Sequence, residues 1–241
     1  MILLIVLDLQ AVVPKKWELR SSEDFLKGKF SGISLSSDGI LSIGPKVEKI
    51  ELPAEEFYLS LVRASDGSFY LGTGHGGKIY RIGKDKKAEL YFQTEEMDVT
   101  ALAIDQKGNL LAGTSPNGKI YKISAKNKGQ EFFNPQEKYI WDLKLTESGN
   151  LLAAVGESGG IYEIAPTGEG KLIFKARDNH VLCLRPGPSG ELLAGSGGRG
   201  QVYKISTSGK VTVLFESDYE EVKNIAFDRE GNVYVSASGT P

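Results

Sequence analysis

Several stretches of this 241-residue chain carry residue patterns that do chemistry in other proteins. Gly72, Gly74 and Gly77 spell GxGxxG, and so do Gly195, Gly197 and Gly200. Such glycines cradle a pyrophosphate when they lead from a strand into a helix, whose first amides then meet the anion. Residues 72–78, GTGHGGK, also spell GxxxxGK, but Ile79 stands where a phosphate loop needs a Ser or Thr hydroxyl. Residues 156–160, GESGG, spell GxSxG, the pattern of a strained turn that presents a nucleophile, here Ser158. A serine nucleophile of that kind needs a histidine base, and the chain has two, His75 and His180. Cys183 is the one cysteine, so no internal disulfide framework exists. It lies in the apolar run VLCL and reads as a small core residue rather than a reactive thiol.

All of these motifs fall inside one phrase that is written four times. It reads GSFYLGTGHGGKIYRI at 67–82, GNLLAGTSPNGKIYKI at 108–123, GNLLAAVGESGGIYEI at 149–164 and GELLAGSGGRGQVYKI at 190–205. Gly67, Gly108, Gly149, Gly190 and Gly231 are spaced by 41 residues, as are Tyr80, Tyr121, Tyr162 and Tyr203. A strict period of this length means stacked structural units. Within the unit 98–138 the strand candidates are VTALAID, NLLAGTS, KIYKIS and QEFFN, separated by the turn-forming QKG, PNG and AKNKG. Four short strands per ~40–45 residues is the spacing of a propeller blade.

The sequence therefore predicts an all-β chain, a β-propeller of four-stranded antiparallel blades on the 41-residue repeat, incomplete, with about five to six blades or part-blades. Its units are 30–56, 57–97, 98–138, 139–179, 180–220 and a partial 221–241, after an N-terminal segment 1–29. Residues 18–28 hold the one helix signal, with Ser22 as cap, Glu23 and Asp24 in the first turn and Gly28 as stop. Residues 32–52 read as three strands, with Gly39 as their turn glycine. An open ring would expose sheet faces, so the expectation is a piece of a longer protein. The alternative is a closed five-bladed ring in which residues 40–51 complete the last blade.

This reading disarms the glycine motifs, because each lies between two strands and no helix follows. It also points to a face. In a propeller, the loops between the second and third strands and the links between blades open on the same side. Ten residues before each repeat glycine stand Phe57, Asp98, Tyr139, His180 and Glu221, different in every unit. Variation on a constant scaffold is what a binding surface looks like. His75 falls on the same face and joins them as a candidate ligand-binding residue. Twelve before the glycine, Glu55, Glu96, Glu137 and Asp178 form an acidic column, read either as solvated surface charge or as a negative rim for a cation or basic partner. Seven before it, Ser60, Ala101, Asp142, Cys183 and Asn224 line the channel side. Asp142 and Asn224 are oxygen donors, but calcium takes six to eight. No metal site and no cofactor are expected.

The phrase GNLLAGTxxxGKIYKI resembles the repeats of bacterial propellers of the NHL-like, sensor-type and streptogramin-lyase-like superfamily, over about residues 30–238. The resemblance implies fold and no specific subfamily. The third strands end in YRI, YKI, YEI and YKI rather than in the Trp-Asp of WD repeats, and Trp141-Asp142 lies in a first strand. Function is expected to be a non-catalytic scaffold or binding module that presents the variable loop face to a protein or small ligand. The alternatives are a divalent-metal-dependent propeller lyase or hydrolase and a purely structural array of blades.

Bulk properties bound the partners. A net charge of −2 gives no basic excess for nucleic acid. The start MILLIVLDLQAVVPKKW has no apolar run of the ~20 residues that a transmembrane helix needs. Residues 1–13 read as a signal-peptide remnant or as an edge strand. The first reading points to a periplasmic or secreted protein, and the cytoplasm is the alternative.

Overall fold

The computed structural model describes residues 21–45 and 47–240. The expectations for residues 1–13 lie outside the described residues. The chain divides into two compact units, Met1–Ile50 and Glu51–Pro241. Among the described residues no helix is long and apolar enough to cross a membrane.

The first unit contains helix α1 (Ser22–Leu26) and a hairpin of β1 (Ile33–Leu35) and β2 (Leu41–Ile43). Ser22 is the first residue of the helix and Ser21 caps it: the Asp24 N–H donates to Ser21 Oγ at 3.3 Å. Of the three strands expected over 32–52, two form. Residues 47–52 take no strand pairing, and Pro45 and Pro53, which lack an N–H for a ladder, bracket that stretch.

The second unit is a succession of antiparallel meanders. Blade 1 is β3 (Phe57–Arg63), β4 (Phe69–Gly74), β5 (Lys78–Ile82) and β6 (Ala88–Gln93). Blade 2 is β7 (Asp98–Ile104), β8 (Leu110–Ser115), β9 (Ile120–Ala125) and β10 (Lys128–Phe133). Blade 3 is β11 (Tyr139–Leu145), β12 (Leu151–Gly156), β13 (Gly160–Ile164) and β14 (Gly170–Lys175). Blade 4 is β15 (His180–Pro186), β16 (Leu192–Gly197), β17 (Gln201–Ile205) and β18 (Val211–Glu216). β19 (Glu221–Phe227) and β20 (Val233–Ser238) make half of a fifth. The first strands pack in succession, β3 on β7, β7 on β11, β11 on β15 and β15 on β19. This is the four-stranded propeller architecture that the 41-residue period predicts.

The repeat glycines sit in the turn between first and second strands at φ of +82° to +87°. An upstream Asp or Thr closes several of these turns. Asp105 Oδ1, for example, accepts the Lys107 and Asn109 N–H groups at 2.9 and 2.8 Å. Second strands β8, β12 and β16 are buried at every position, because a neighbouring blade covers each side. That is why LLAG and LLAA show no alternation. The residue nine before the repeat glycine, Val99, Ile140, Val181 or Val222, is fully buried in this seam. Gly72, Gly113 and Gly195 lie against Val99, Ile140 and Val222, and a Cβ at any of them would collide with that side chain.

A second set of glycines locks the blades in sequence. Gly77, Gly118, Gly159 and Gly200, at φ of +55° to +66°, turn the hairpin between second and third strands. Each lies directly under a carbonyl of the link to the next blade, that of Glu96, Glu137, Asp178 or Tyr219. A Cβ there would fall far inside van der Waals contact with the oxygen. In blade 1 the Gly76 and Gly77 N–H groups also donate to Met97 O at 2.9 and 2.7 Å, and the Thr94 N–H returns a bond to Gly77 O at 2.8 Å. The third glycine of each GxGxxG is thus a seat for the inter-blade link.

The two ends differ from the middle. Leu102, Leu143, Leu184 and Ile225 are 9, 1, 2 and 3% exposed, whereas their counterpart Leu61 in blade 1 is 63% exposed. Among the described residues β20 pairs only with β19. Gly77→Ala is expected to destabilise the fold by about 2–4 kcal/mol, since it adds a backbone clash to a left-handed residue. Gly108→Ala, whose Cβ would meet nothing within 4 Å, should cost only about 1–2 kcal/mol, for the positive φ alone. Urea unfolding of the two variants checks the order.

Candidate functional site

Phe57, Asp98, Tyr139, His180 and Glu221 are the first residues of β3, β7, β11, β15 and β19. Each pairs with the last residue of the second strand beside it, Gly74, Ser115, Gly156, Gly197 or Ser238. Register therefore puts all five at the same end of their blades. The ladder then slips by one residue in every first strand, leaving Leu59, Thr100, Trp141, Leu182 and Lys223 as unpaired bulge residues. A bulge re-aims a side chain. These five belong to the same end, and the sequence reading passed over them. Their signal was weaker: the column eight before the repeat glycine reads Leu, Thr, Trp, Leu, Lys and repeats Leu, whereas the column two residues earlier repeats no residue.

Two groups of predicted residues come together. In the first, the His75 N–H donates to Asp98 Oδ1 at 2.9 Å, while Asp98 Oδ2 accepts from Ser115 Oγ at 3.0 Å. The His75 ring meets Phe57 edge-on at 5.1 Å, and its Nδ1 lies 2.8 Å from Glu56 Oε2. Asp98 is thereby consumed in holding the His75 turn, which sits at φ +61°. The hydrogen bond and charge of Glu56 raise the His75 pKa above its usual 6.5.

In the second group, Tyr139 and Trp141 stack at 4.9 Å with 13° between their planes. His180 stands edge-on to both, at 6.0 and 5.7 Å. The Trp141 Nε1–H donates to His180 Nδ1 at 3.1 Å. An indole N–H can only donate, so Nδ1 offers its lone pair and the neutral ring carries its proton on Nε2. Gly156 makes room: a Cβ there would collide with Trp141 Nε1 and His180 Nδ1. These three rings, with Glu157 and Asn179, line an open cleft of about 520 Å³. A second cleft of about 550 Å³ shares Asn179 and His180 and runs on past Gly198, Arg199 and Glu220 to Glu221. Among the described residues no hydrogen bond, ion pair or ring contact joins the His75 group to the Tyr139 group.

The acidic column does other work than either sequence reading assigned to it. The Glu96 and Asp178 side chains are only 2 and 5% exposed. Glu96 accepts from Asn117 Nδ2 at 2.9 Å and pairs with Lys119 at 3.3 Å. Asp178 accepts from Ser196 Oγ at 2.5 Å, Glu137 from the Ser158 N–H at 3.2 Å, and Glu55 from Lys78 at 2.8 Å. They are neither solvated charges nor a free rim. Each bonds the hairpin of the blade it introduces, and burial without such partners would be costly.

Of the channel-side column, Ser60, Asp142 and Cys183 are likewise spent in seams between first strands, while Asn224 is exposed. Ser60 Oγ donates to Val99 O at 2.8 Å, and Cys183 Sγ lies 3.6 Å from Val222 O. Asp142 Oδ2 accepts the Leu184 N–H at 2.9 Å, and Lys144 Nζ sits 2.5 Å from its Oδ1. A lysine ammonium thus occupies the cation position beside Asp142. Among the described residues no three His, Cys, Asp or Glu side chains converge as metal ligands would. Ser158 lies in the β12–β13 turn, as the repeat predicts, without a histidine partner. On the opposite face a cleft of about 660 Å³ in blade 1 is lined by Asp66, Arg81 and Glu89. Its charges answer one another: Arg81 pairs with Asp66 at 3.2 Å and with Glu89 at 3.6 Å.

Comparison with known proteins bears out the fold and goes no further. No family model matches the chain, and no curated protein matches its sequence. Solved structures do. Virginiamycin B lyase from Staphylococcus aureus superposes with a TM-score of 0.67 at 18% identity, over 85% of this chain and 70% of that one. A gluconolactonase-like protein gives a TM-score of 0.60 at 14% identity, over 76% and 73% of the two chains. The WD40 propeller domain of Doa1 gives 0.63 at 16% identity, over 75% and 60%. The chain is thus a β-propeller, as its repeats predict, and these identities are too low to assign a subfamily.

Two measurements test the geometry. The His75–Glu56 pair stabilises the fold fully below the unfolded histidine pKa and is lost as pH rises through the raised folded value. An NMR titration should place the His75 midpoint above 6.5, and Glu56→Gln should lower it. Burial, with a smaller contribution from Asp142, pushes the Cys183 thiol up to about 12. A thiol reagent at pH 8 should therefore react with the unfolded chain and leave the native one unmodified.

Proposed function

We propose that this propeller is a binding module and that its ligand lies across the blade 3–5 end of the variable face. The observation that carries this is the Tyr139–Trp141–His180 cluster, three rings kept at the surface in an open cleft. Rings of this size are normally spent in cores or at recognition sites. Here a glycine beneath them and a bulge in β11 hold them out of the core. The carboxylates of the acidic column are bonded to the hairpins they introduce, and among the described residues neither histidine ring is bonded to a serine or cysteine.

The second reading is a propeller lyase or hydrolase that uses a divalent metal. It draws on two of the structural neighbours, a gluconolactonase-like protein and virginiamycin B lyase. A catalytically inactive histidine-to-alanine variant of that lyase has been crystallised with quinupristin. His180 would be the residue to ask. Against this reading, Lys144 already neutralises Asp142.

Two variant proteins separate the possibilities. The pair Tyr139→Ala/His180→Ala removes the cluster, and Lys171→Ala/Glu163→Ala alters a cleft on the opposite face. Each is immobilised beside the unaltered protein and exposed to a mixed extract of metabolites and proteins. The expected outcome is one or more species kept by the unaltered protein and the opposite-face variant, and lost by the cluster variant. Equal retention by all three would end the reading. A rise in Tm with calcium, magnesium or zinc that Asp142→Asn abolishes would favour the metal enzyme instead.

A further inference from the structure

The chemistry of the cleft names a class of ligand, and this step rests on the binding-face reading above. We propose that the Tyr139–Trp141 surface binds the ring of a saccharide, with His180, Asn179 and Glu157 reading its hydroxyl groups. Tyr139 and Trp141 lie nearly parallel, stacked on each other, 13° apart. Each covers one face of the other, so the stack offers a single flat outer ring face rather than two walls. A cation such as a methylated ammonium is held by ring faces that surround it, and that geometry is missing here. A flat platform suits a flat apolar face, and the C–H groups on one side of a sugar ring supply it, their partial positive charge meeting the negative face of the aromatic system.

The polar edge of the cleft points the same way. His180 Nδ1 is occupied by the Trp141 indole, which leaves Nε2–H as a donor. Asn179 offers a donor and an acceptor on one amide, and Glu157 offers acceptors. Hydroxyl groups donate and accept, so a mixed set of this kind serves them better than it serves a simple anion or cation. Glu157 is neutralised by Lys138 at 2.7 Å, so this end of the cleft has no uncompensated charge to demand a charged ligand. The neighbouring cleft continues the groove past Asn179 and His180 to Arg199 and Glu221. At about 520 and 550 Å³ each part is within the ~300–1,000 Å³ range of small-molecule sites. Together they offer room for more than one ring, and the chain of a short oligosaccharide would run from the platform toward blade 5.

The chain has two tryptophans, so Trp17→Phe leaves Trp141 as the only indole and its emission as the probe. Cellotetraose, maltotetraose and chitotetraose are titrated against that protein. Saturation-transfer NMR on the unaltered protein repeats the measurement without any substitution. At least one of the three should shift Trp141 emission saturably, with a Kd of roughly millimolar or tighter. His180→Ala and Tyr139→Ala should each weaken it about tenfold or more, in proteins whose circular dichroism and Tm remain those of a folded chain. No saturable signal from any of the three by either method overturns the saccharide assignment. So does saturable binding of adenosine in their place, which would leave the binding face standing and change the ligand to a planar heteroaromatic ring. Saccharide binding that neither substitution weakens would overturn both the assignment and the face.

Discussion

The structure hangs on a carbonyl oxygen seated on a glycine. Where each blade hands over to the next, the link lays its backbone on the hairpin of the blade just finished, at Gly77, Gly118, Gly159 and Gly200. The same link then sends a carboxylate into the hairpin of the blade about to begin, as Glu96 does toward Asn117 and Lys119. One short segment thus clamps two consecutive sheets. With that distance fixed, a β-branched residue from each first strand drops onto a small residue of the second strand before it, and the seams between blades close. The 41-residue period is the sequence image of this clamp.

That origin explains why the chain imitates nucleotide-binding and hydrolase motifs. In GTGHGGK, Gly72 is small because Val99 lies on it, and Gly77 is glycine because a carbonyl does. Gly74 leaves room for Leu59 and Asp98, as Gly156 does for Trp141 and His180. Three separate steric demands, two to five residues apart, write a pattern that a phosphate would also need. Only the strand–helix context tells the two apart, and here strands flank every copy.

The fold was legible because a repeated demand leaves a repeated residue. Turn glycines, seam valines and the hairpin tyrosines could be aligned with one another inside a single sequence. The candidate site was half legible. The varied column of Tyr139 and His180 stood out against the constant scaffold, but Trp141 did not, because its exposure depends on a bulge. A slip of one residue in a ladder reverses which side chains face outward, and no residue type announces it. The acidic column failed for the opposite reason. Its charge looked like surface, whereas Glu96 and Asp178 are buried against donors more than 15 residues downstream that no local pattern reveals. Cys183 was read correctly, since its apolar neighbours said enough.

The exposure of Leu61 beside the burial of Leu143 and Leu184 has a consequence for how the molecule breathes. In an array whose units touch only their neighbours, each unit is held by its own stability and by the seams on either side. Among the described residues, blade 1 and the half blade at β19–β20 have one such seam each, and blades 2, 3 and 4 have two. Within these blades the doubly seamed sheets should open last, a gradient that amide exchange would register as slow protons in β12 and β16. The aromatic cleft spans the junction of blades 3 and 4, among the doubly seamed units. Its rings keep their mutual geometry while the outer blades fray, so their preorganisation is set by their address in the array as well as by their own contacts.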